Sequence, residues 1–281
     1  MRYRLACARV YLGDYSNWTG WAYRDEWAFE RNFLPHDIPR WRGENVDSLL
    51  CMGEQGIGDQ ILWASCLPEC MVRVKRVVYA CDRRLIAMLE RSLPGLRCID
   101  QDMKPTEDFD AFIPAADLLP LFRKRRADFP AQSYLRSRHV DALLHESLGR
   151  YSGKIGIGWA GRQGSIDPLK LGLDSPLSLQ HDAAHPQIEA PPIDLHDDLE
   201  AVLSLVTCLS RVVCVPSTIH HIAGAAGVKV DVIWPESGPL EPEALNQVPW
   251  SHPPGRLPWY PNVTVYRSIK EWKAARASDA G

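Results

Sequence analysis

The sequence predicts an α/β fold, because short apolar segments of strand composition alternate with segments of helical periodicity. The alternation occurs twice, beginning near residue 48 and again near residue 154. Each set opens with a strand candidate that ends in glycines. Two such sets predict two Rossmann-like domains facing across a cleft, with ligands bound at the carboxyl ends of the strands.

Three segments follow from this pattern. Residues 1–45 are predicted to be a helical, aromatic-rich N-terminal arm, with helices over 2–12 and 17–31. Residues 46–150 are predicted to be the first domain and residues 151–281 the second. An arm this short cannot bury a core of its own, so it must pack on the following domain or on a partner.

The individual elements are assigned from apolar runs and their spacing. The first domain is predicted to contain strands at 48–52, 76–81, 96–99 and 110–113, and helices at 59–72, 83–92, 115–125 and 137–148. The second is predicted to contain strands at 154–159, 212–215, 229–233 and 262–266, and helices at 197–208, 218–226 and 268–276. The stretch 161–195 has no clear period, and a loop of that length is usually functional or mobile.

Composition and charge exclude several classes of protein. Hydrophobic residues at 46% and charged residues at 24% are typical of a globular protein. A formal net charge of -3 disfavours a long nucleic acid as partner, although it does not forbid one. No stretch reaches the about 20 apolar residues of a membrane span, and the N-terminus lacks the apolar core of a signal peptide. We therefore expect a cytoplasmic protein without a membrane span.

The eight cysteines are predicted to be small buried thiols in a reducing compartment. Cys66 and Cys70 have a helical spacing that could support a metal, but no second Cys or His pair stands at zinc-like spacing. We assign no Asp-x-Asp motif to a metal either. We expect no metal.

The first candidate site is the glycine-rich loop from Gly53 to Asp59, between a buried strand and an apolar helix. Its glycines let the backbone approach a ligand closely, and the helix start offers N–H groups to an anion. Gly56, Ile57 and Gly58 are therefore candidates for contact with a ligand and its phosphate, and the family resemblance given below implies that this ligand is an acceptor. The loop matches neither the dinucleotide-binding order of glycines nor a P-loop. Asp59 could alternatively serve only as a helix cap.

The second candidate site is the turn from Val215 to His221, where a strand ends in hydroxyl residues and a helix begins with two histidines. Ser217 and Thr218 can cap the helix and donate to phosphate oxygens, and His221 lies on the first turn. Ser217 could also be a plain cap. His220 is expected to be an exposed helical side chain.

Two cations between these segments complete the candidate list. Arg162 and Lys170 could offset the charge on a diphosphate leaving group, or they could be ordinary loop cations.

Six motifs in order give the chain a family resemblance over residues 10–275. The motifs are Leu12–Trp27, Pro39–Glu44, the glycine loop at 54–59, Gly156–Gly161, the helix at 215–227 and Trp259–Val263. The chain resembles the glycosyltransferase-like domain found at the C-terminus of tetratricopeptide-repeat proteins. That domain is similar to the heptosyltransferase family.

The resemblance implies a GT-B fold and an inverting sugar transfer. It implies that Asp59 is the general base toward the acceptor hydroxyl, and that Ser217, Thr218 and His221 hold the donor diphosphate. The donor is then a nucleotide-diphosphate sugar, with no further cofactor. The acceptor is a glycan, a protein side chain or a modified base.

Two departures from the family pattern leave other functions open. Pro216 stands where the family commonly has aspartate, which removes a carboxylate and a backbone donor. The stretch 161–195 keeps only Leu173–Leu177 of the usual family run. The alternatives are a non-catalytic sugar-nucleotide-binding protein and a nucleotide-sugar epimerase of the same architecture.

Overall fold

The structure is a computed structural model that describes residues 9, 12–16, 38–53, 56–138, 148–235 and 255–279. Helices alternate with parallel strands, so the predicted α/β class is confirmed. The chain divides into two compact units. Unit 1 comprises residues 1–130 with 241–251, and unit 2 comprises residues 131–240 with 252–281.

Unit 1 is built on a four-stranded parallel sheet of order β3-β2-β1-β4. Its described strands are β1 (Ser48–Met52), β2 (Arg76–Cys81), β3 (Arg97–Asp100) and β4 (Ala111–Pro114). Its helices are α1 (Ile57–Ala64), α2 (Leu67–Arg73), α3 (Ile86–Ser92) and α4 (Leu118–Phe122). Three-residue 3-10 turns lie at Arg83–Leu85, Ala115–Asp117 and Arg126–Asp128.

The single helix predicted over 59–72 is wrong, because the structure contains two helices there. Pro68 lies in the first turn of α2, where its missing N–H costs nothing, but the same ring would break a continuous helix. The hydroxyl of Ser65 donates to the carbonyl of Leu62 at 2.6 Å and closes the end of α1.

Unit 2 contains a six-stranded sheet of order β11-β12-β10-β9-β5-β8, parallel except for the pair β11–β12. A separate hairpin pairs β6 with β7. The strands are β5 (Ile155–Gly158), β6 (Ala160–Gly161), β7 (Gly164–Ser165), β8 (Leu177–Ser178), β9 (Arg211–Cys214), β10 (Val230–Ile233), β11 (Gly255–Arg256) and β12 (Val263–Tyr266). The helices are α5 (Leu199–Cys208), α6 (Thr218–Ala225) and α7 (Ile269–Asp279), and a 3-10 turn spans Pro168–Leu171.

The stretch predicted to be irregular, 161–195, therefore contains regular structure. β8 extends the sheet by pairing with β5, with Gly156 opposite Leu177. A strand of two residues shows no period in sequence, so only its pairing defines it.

Tight packing of α6 on the sheet of unit 2 depends on one glycine. A Cβ on Gly224 would lie 2.8 Å from Val263 and 2.9 Å from Tyr260, so a side chain there would displace the helix. The Asn262 side chain, in the same segment, donates to the Gly224 carbonyl at 3.2 Å. The C-terminal end of α6 is therefore held closely against the strands.

The described part of the N-terminal arm packs on unit 1. Tyr15 is fully buried and meets Phe129 edge to face, with ring centroids 5.1 Å apart. Its backbone N–H donates to the Lys124 carbonyl at 2.9 Å. The helices predicted over 2–12, 17–31 and 137–148 fall almost entirely outside the described residues.

Of the seven described cysteines, six are buried as predicted, and Cys208 is half-buried. Burial raises the pKa of Cys66 to about 12, which keeps that thiol protonated. Among the described residues, no helix combines the length and apolar composition of a membrane crossing.

Candidate functional site

Four of the five candidate donor-binding residues of unit 2 lie after the carboxyl ends of two neighbouring strands, and Lys170 is the exception. β5 and β9 run parallel, with Gly158 opposite Cys214. The pairing continues past the strand ends, because the Val215 N–H donates to the Gly158 carbonyl at 2.9 Å. The segment after β5 and the turn after β9 therefore leave the sheet side by side, where open α/β sheets bind ligands.

Gly161 brings these two segments into direct backbone contact. A Cβ on Gly161 would lie 2.6 Å from the Pro216 carbonyl oxygen. Gly161 ends β6, and Arg162 follows it in the turn of the β6–β7 hairpin with an exposed side chain. The structure thus places Arg162 one residue from a contact with the 215–221 turn.

Ser217 is the N-cap residue of α6, with extended backbone. Its hydroxyl donates backward to the Val215 carbonyl at 3.1 Å, so the predicted hydroxyl cap is not the bond that forms. The cap bond runs in the other direction, from the Ser217 N–H to Nδ1 of His220 at 3.1 Å. The prediction that His220 is exposed is wrong, since only 9% of it is exposed.

His221 is also buried, and it is held between two rings. Its Nδ1 lies 3.2 Å from the Tyr260 hydroxyl, and its ring centroid lies 3.9 Å from that of His220. Burial lowers the pKa of His220 to about 4. Burial and the neighbouring His220 lower the pKa of His221 well below its ordinary value. Both imidazoles are therefore uncharged at neutral pH.

Of the remaining two candidates, Thr218 belongs to the turn from Val215 to His221, and Lys170 lies elsewhere in unit 2. Thr218 is the first residue of α6 and is half-buried beside Ser217. Lys170 is exposed on the 3-10 turn Pro168–Leu171, which packs against α7. Among the described contacts, none joins Lys170 to the 215–221 turn.

The acceptor-side candidates lie in unit 1, at the end of β1. The Gly53 N–H donates to the Ala80 carbonyl at 2.6 Å, and a Cβ on Gly53 would lie 2.6 Å from that oxygen. Gly56 is the N-cap of α1, and its N–H donates to Oδ2 of Asp59 at 3.3 Å. Asp59 is half-buried, Ile57 opens the helix, and Gly58 is buried.

Gln60 is a residue that the sequence analysis missed. It is 1% exposed, and its Oε1 accepts the Asp82 N–H at 2.7 Å while its Nε2 donates to Oε1 of Gln101 at 3.0 Å. Its carbonyl accepts from the Tyr79 hydroxyl at 3.0 Å. Gln60 therefore fastens the start of α1, directly after Asp59, to the ends of β2 and β3. A polar side chain within an otherwise apolar helical run was the available signal.

Within the described ranges, no group of three or more His, Cys, Asp or Glu side chains could hold a metal ion.

The fold defines a class: mixed α/β with parallel sheets, resembling GT-B glycosyltransferases such as the heptosyltransferases. No family model matches the chain. The chain is 24% identical over 299 residues to Protein FlbA of Caulobacter vibrioides, a match that covers 85% of this chain and 48% of FlbA. The chain thus spans about half the length of that relative.

Two solved structures show the same fold. TibC from enterotoxigenic E. coli H10407, an iron-containing dodecameric glycosyltransferase, has a TM-score of 0.50 and 13% identity, covering 70% of this chain and 58% of TibC. TibC has also been solved with ADP-D-beta-D-heptose. The ADP-heptose LPS heptosyltransferase II of E. coli has a TM-score of 0.50 and 12% identity, covering 83% of this chain and all of that enzyme. At such identities the likeness shows the fold alone.

Proposed function

We propose that this protein is an inverting glycosyltransferase that moves a sugar from a nucleotide-diphosphate donor to an acceptor hydroxyl. The observation that carries the proposal is the turn from Val215 to His221, an uncharged helix start at the carboxyl edge of a parallel sheet. TibC, which shares the fold, binds an ADP-sugar. We assign the donor to residues 151–281 and the acceptor to residues 46–150.

The first turn of α6 suits a diphosphate for a physical reason. The first N–H groups of a helix generally lack an intrahelical acceptor, and the helix dipole adds partial positive charge there. In α6 the His220 N–H already donates to the Ser217 carbonyl at 3.3 Å, so the proposal uses the N–H groups that precede it in the turn. Thr218 offers a hydroxyl at the same position. Arg162 directly follows Gly161, the hairpin residue that lies against Pro216, and supplies a cation for the charge that develops on the leaving group. Lys170 is a weaker candidate, because its described contacts lie elsewhere.

The proposed chemistry is a single displacement. The acceptor oxygen attacks the anomeric carbon, the bond from that carbon to the diphosphate oxygen breaks, and the nucleoside diphosphate leaves with the electron pair. Asp59 takes the proton of the acceptor hydroxyl as general base. Because attack and departure occur on opposite faces, the configuration at the anomeric carbon inverts.

The wider assignments belong to the same proposal. We infer a cytoplasmic enzyme, related to the domains that follow tetratricopeptide repeats, that uses no cofactor or metal. The acceptor class is a glycan, a protein side chain or a modified base.

One observation favours a second candidate, a sugar-nucleotide-binding protein without transfer activity. Pro216 lies directly before the cap residue Ser217. The family that the chain resembles commonly has an aspartate at this position, which could contact the donor sugar. If that contact is necessary for turnover, the diphosphate still binds but the sugar is not transferred.

The test begins with a thermal-shift screen of ADP-, UDP-, GDP- and dTDP-sugars, followed by incubation of the stabilising donor with mixed acceptors. Release of nucleoside diphosphate, with an inverted anomer observed by NMR, supports transfer. Stabilisation with no release in any acceptor mixture favours the binding protein. Conversion of the free nucleotide sugar without acceptor identifies an epimerase. If no sugar nucleotide stabilises the protein, the proposal is wrong.

A further inference from the structure

Two helices that carry candidate residues begin with the same backbone arrangement but with different charge. In α1 the N–H of the cap residue Gly56 donates to the carboxylate of Asp59. In α6 the N–H of the cap residue Ser217 donates to the imidazole of His220. Both acceptors stand three residues after the cap, a position commonly held by Glu or Gln.

The cap of α6 is uncharged for geometric reasons. Nδ1 of His220 accepts a backbone N–H at 3.1 Å, so that nitrogen cannot carry a proton. The His220 ring also lies 3.9 Å from the ring of His221, and a charge on one imidazole would disfavour a charge on the other. With 9% and 7% exposure, neither ring has enough water around it to offset a charge.

This difference in charge matters for the ligand of each helix. A carboxylate near a helix start stabilises the helix, but it repels a phosphate at the same place. The first turn of α6 has no acidic residue, whereas Asp59 lies in the first turn of α1. The two helix starts thus share one backbone arrangement, but the start of α6 can accept an anion, whereas the Asp59 carboxylate at the start of α1 repels one.

We propose that His220 is a positioning residue that shapes the donor-binding turn as an uncharged cap, so that the start of α6 accepts the diphosphate of a nucleotide donor. The equivalent carboxylate, Asp59, keeps an anion away from the start of α1 and leaves that position to a neutral hydroxyl. This inference rests on the proposed function, because it assigns the donor to α6.

The test compares His220→Gln, His220→Glu and His220→Ala by titration calorimetry with ADP and UDP at low and high salt. His220→Gln keeps a neutral acceptor for the Ser217 N–H, so the Kd stays within about twofold of wild type. His220→Glu keeps the acceptor but adds a charge, so the Kd rises about tenfold or more, and the loss shrinks at high salt. All Kd values are measured well below the Tm of each variant, and recovery of His220→Glu binding at high salt separates charge from folding, because salt screening does not repair a folding defect.

His220→Ala removes the acceptor without adding charge. It should weaken ADP binding several-fold while His220→Gln does not, and this pair tests the positioning role even if His220→Glu fails to fold. Equal Kd values for all variants and wild type would overturn the inference while leaving the proposed function in place. If wild-type protein binds neither nucleotide, the proposed function fails, and the role of His220 fails with it.

Discussion

Tyr260 and His221 are joined within unit 2 by a contact of 3.2 Å between the tyrosine hydroxyl and Nδ1 of the histidine. Tyr260 is fully buried in the segment between β11 and β12, and His221 is 7% exposed. This contact ties the first turn of α6 to a segment 39 residues later in the chain.

The Tyr260→Phe substitution should weaken both folding and nucleotide binding. Removing the hydroxyl leaves a buried imidazole nitrogen without this partner, which costs about 1–3 kcal/mol of unfolding free energy. Because His221 then loses its fixed orientation, the Kd for the stabilising nucleotide should rise several-fold. Urea unfolding and calorimetry measure the two effects.

Tyr151→Phe is the matched control for Tyr260→Phe. Tyr151 is also fully buried in unit 2, but its hydroxyl bonds the mostly exposed Arg150. This variant should leave the Kd unchanged. A similar rise in Kd for both variants would show that the effect comes from general destabilisation.

The Gly161→Ala substitution should disturb the turn from Val215 to His221 by a steric clash. The new Cβ would lie 2.6 Å from the Pro216 oxygen, a distance that carbon and oxygen cannot keep, so the hairpin or the 215–221 turn must shift. We expect the Kd for nucleotide to rise at least tenfold, about 1.4 kcal/mol. The measurement is calorimetry with ADP or UDP.

Gly149→Ala serves as control for Gly161→Ala, because a Cβ on Gly149 would meet nothing within 4 Å. It should bind nucleotide like wild type. If Gly161→Ala also binds like wild type, the close backbone contact does not shape the site.

Asp59 has two separable roles, which its Asn and Ala variants distinguish. Asp59→Asn keeps an oxygen for the Gly56 N–H but cannot take a proton, so kcat should fall about 100-fold to 10,000-fold with donor affinity unchanged. Asp59→Ala should lose the same activity and also about 1 kcal/mol of stability, because the cap bond is gone. Transfer assays and urea unfolding measure these. Full activity in Asp59→Asn would exclude Asp59 as the base.

The alternation of elements was readable from sequence because parallel strands buried on both faces are short apolar runs. β1 was predicted with its observed bounds, Ser48–Met52, and β2 likewise. β8 was not predicted, because Leu177 and Ser178 belong to the sheet only through their pairing with Gly156 and Ile157 of β5, which lie much earlier in the chain. Local pattern determines the first kind of element, and tertiary pairing determines the second.

The same distinction between local pattern and tertiary pairing explains which residues of the candidate site could be identified from the sequence. The glycine loop and the hydroxyl turn were found because their residue types are local signals at strand ends. Gln60 was missed because its partners, Asp82 and Gln101, are distant in sequence. His220 was taken as exposed because helical periodicity assumes one solvent face, whereas α6 is buried from Ile219 to Ala225. Burial on all sides is a property of the surrounding fold.

The buried histidines predict a defined loss of stability in acid. Burial lowers the pKa of His220 to about 4, below its ordinary value of 6.5. Between pH 6.5 and about 4, the unfolded chain binds a proton at this side chain and the folded chain does not. The free energy of unfolding must therefore fall as the pH drops through this range, by up to about 1.4 kcal/mol per pH unit.

His220→Gln isolates this contribution, because the carboxylates of both proteins titrate alike and cancel in the difference. Urea unfolding of wild type and variant across this range measures it. The stability of wild type relative to His220→Gln should be greatest above pH 6.5, should decline as the pH falls, and should become constant below about pH 4. His221 remains buried in both proteins, so its own acid sensitivity persists in the variant. Parallel stability curves would mean that His220 takes up its proton equally in the folded and unfolded chain, which contradicts a buried, uncharged cap.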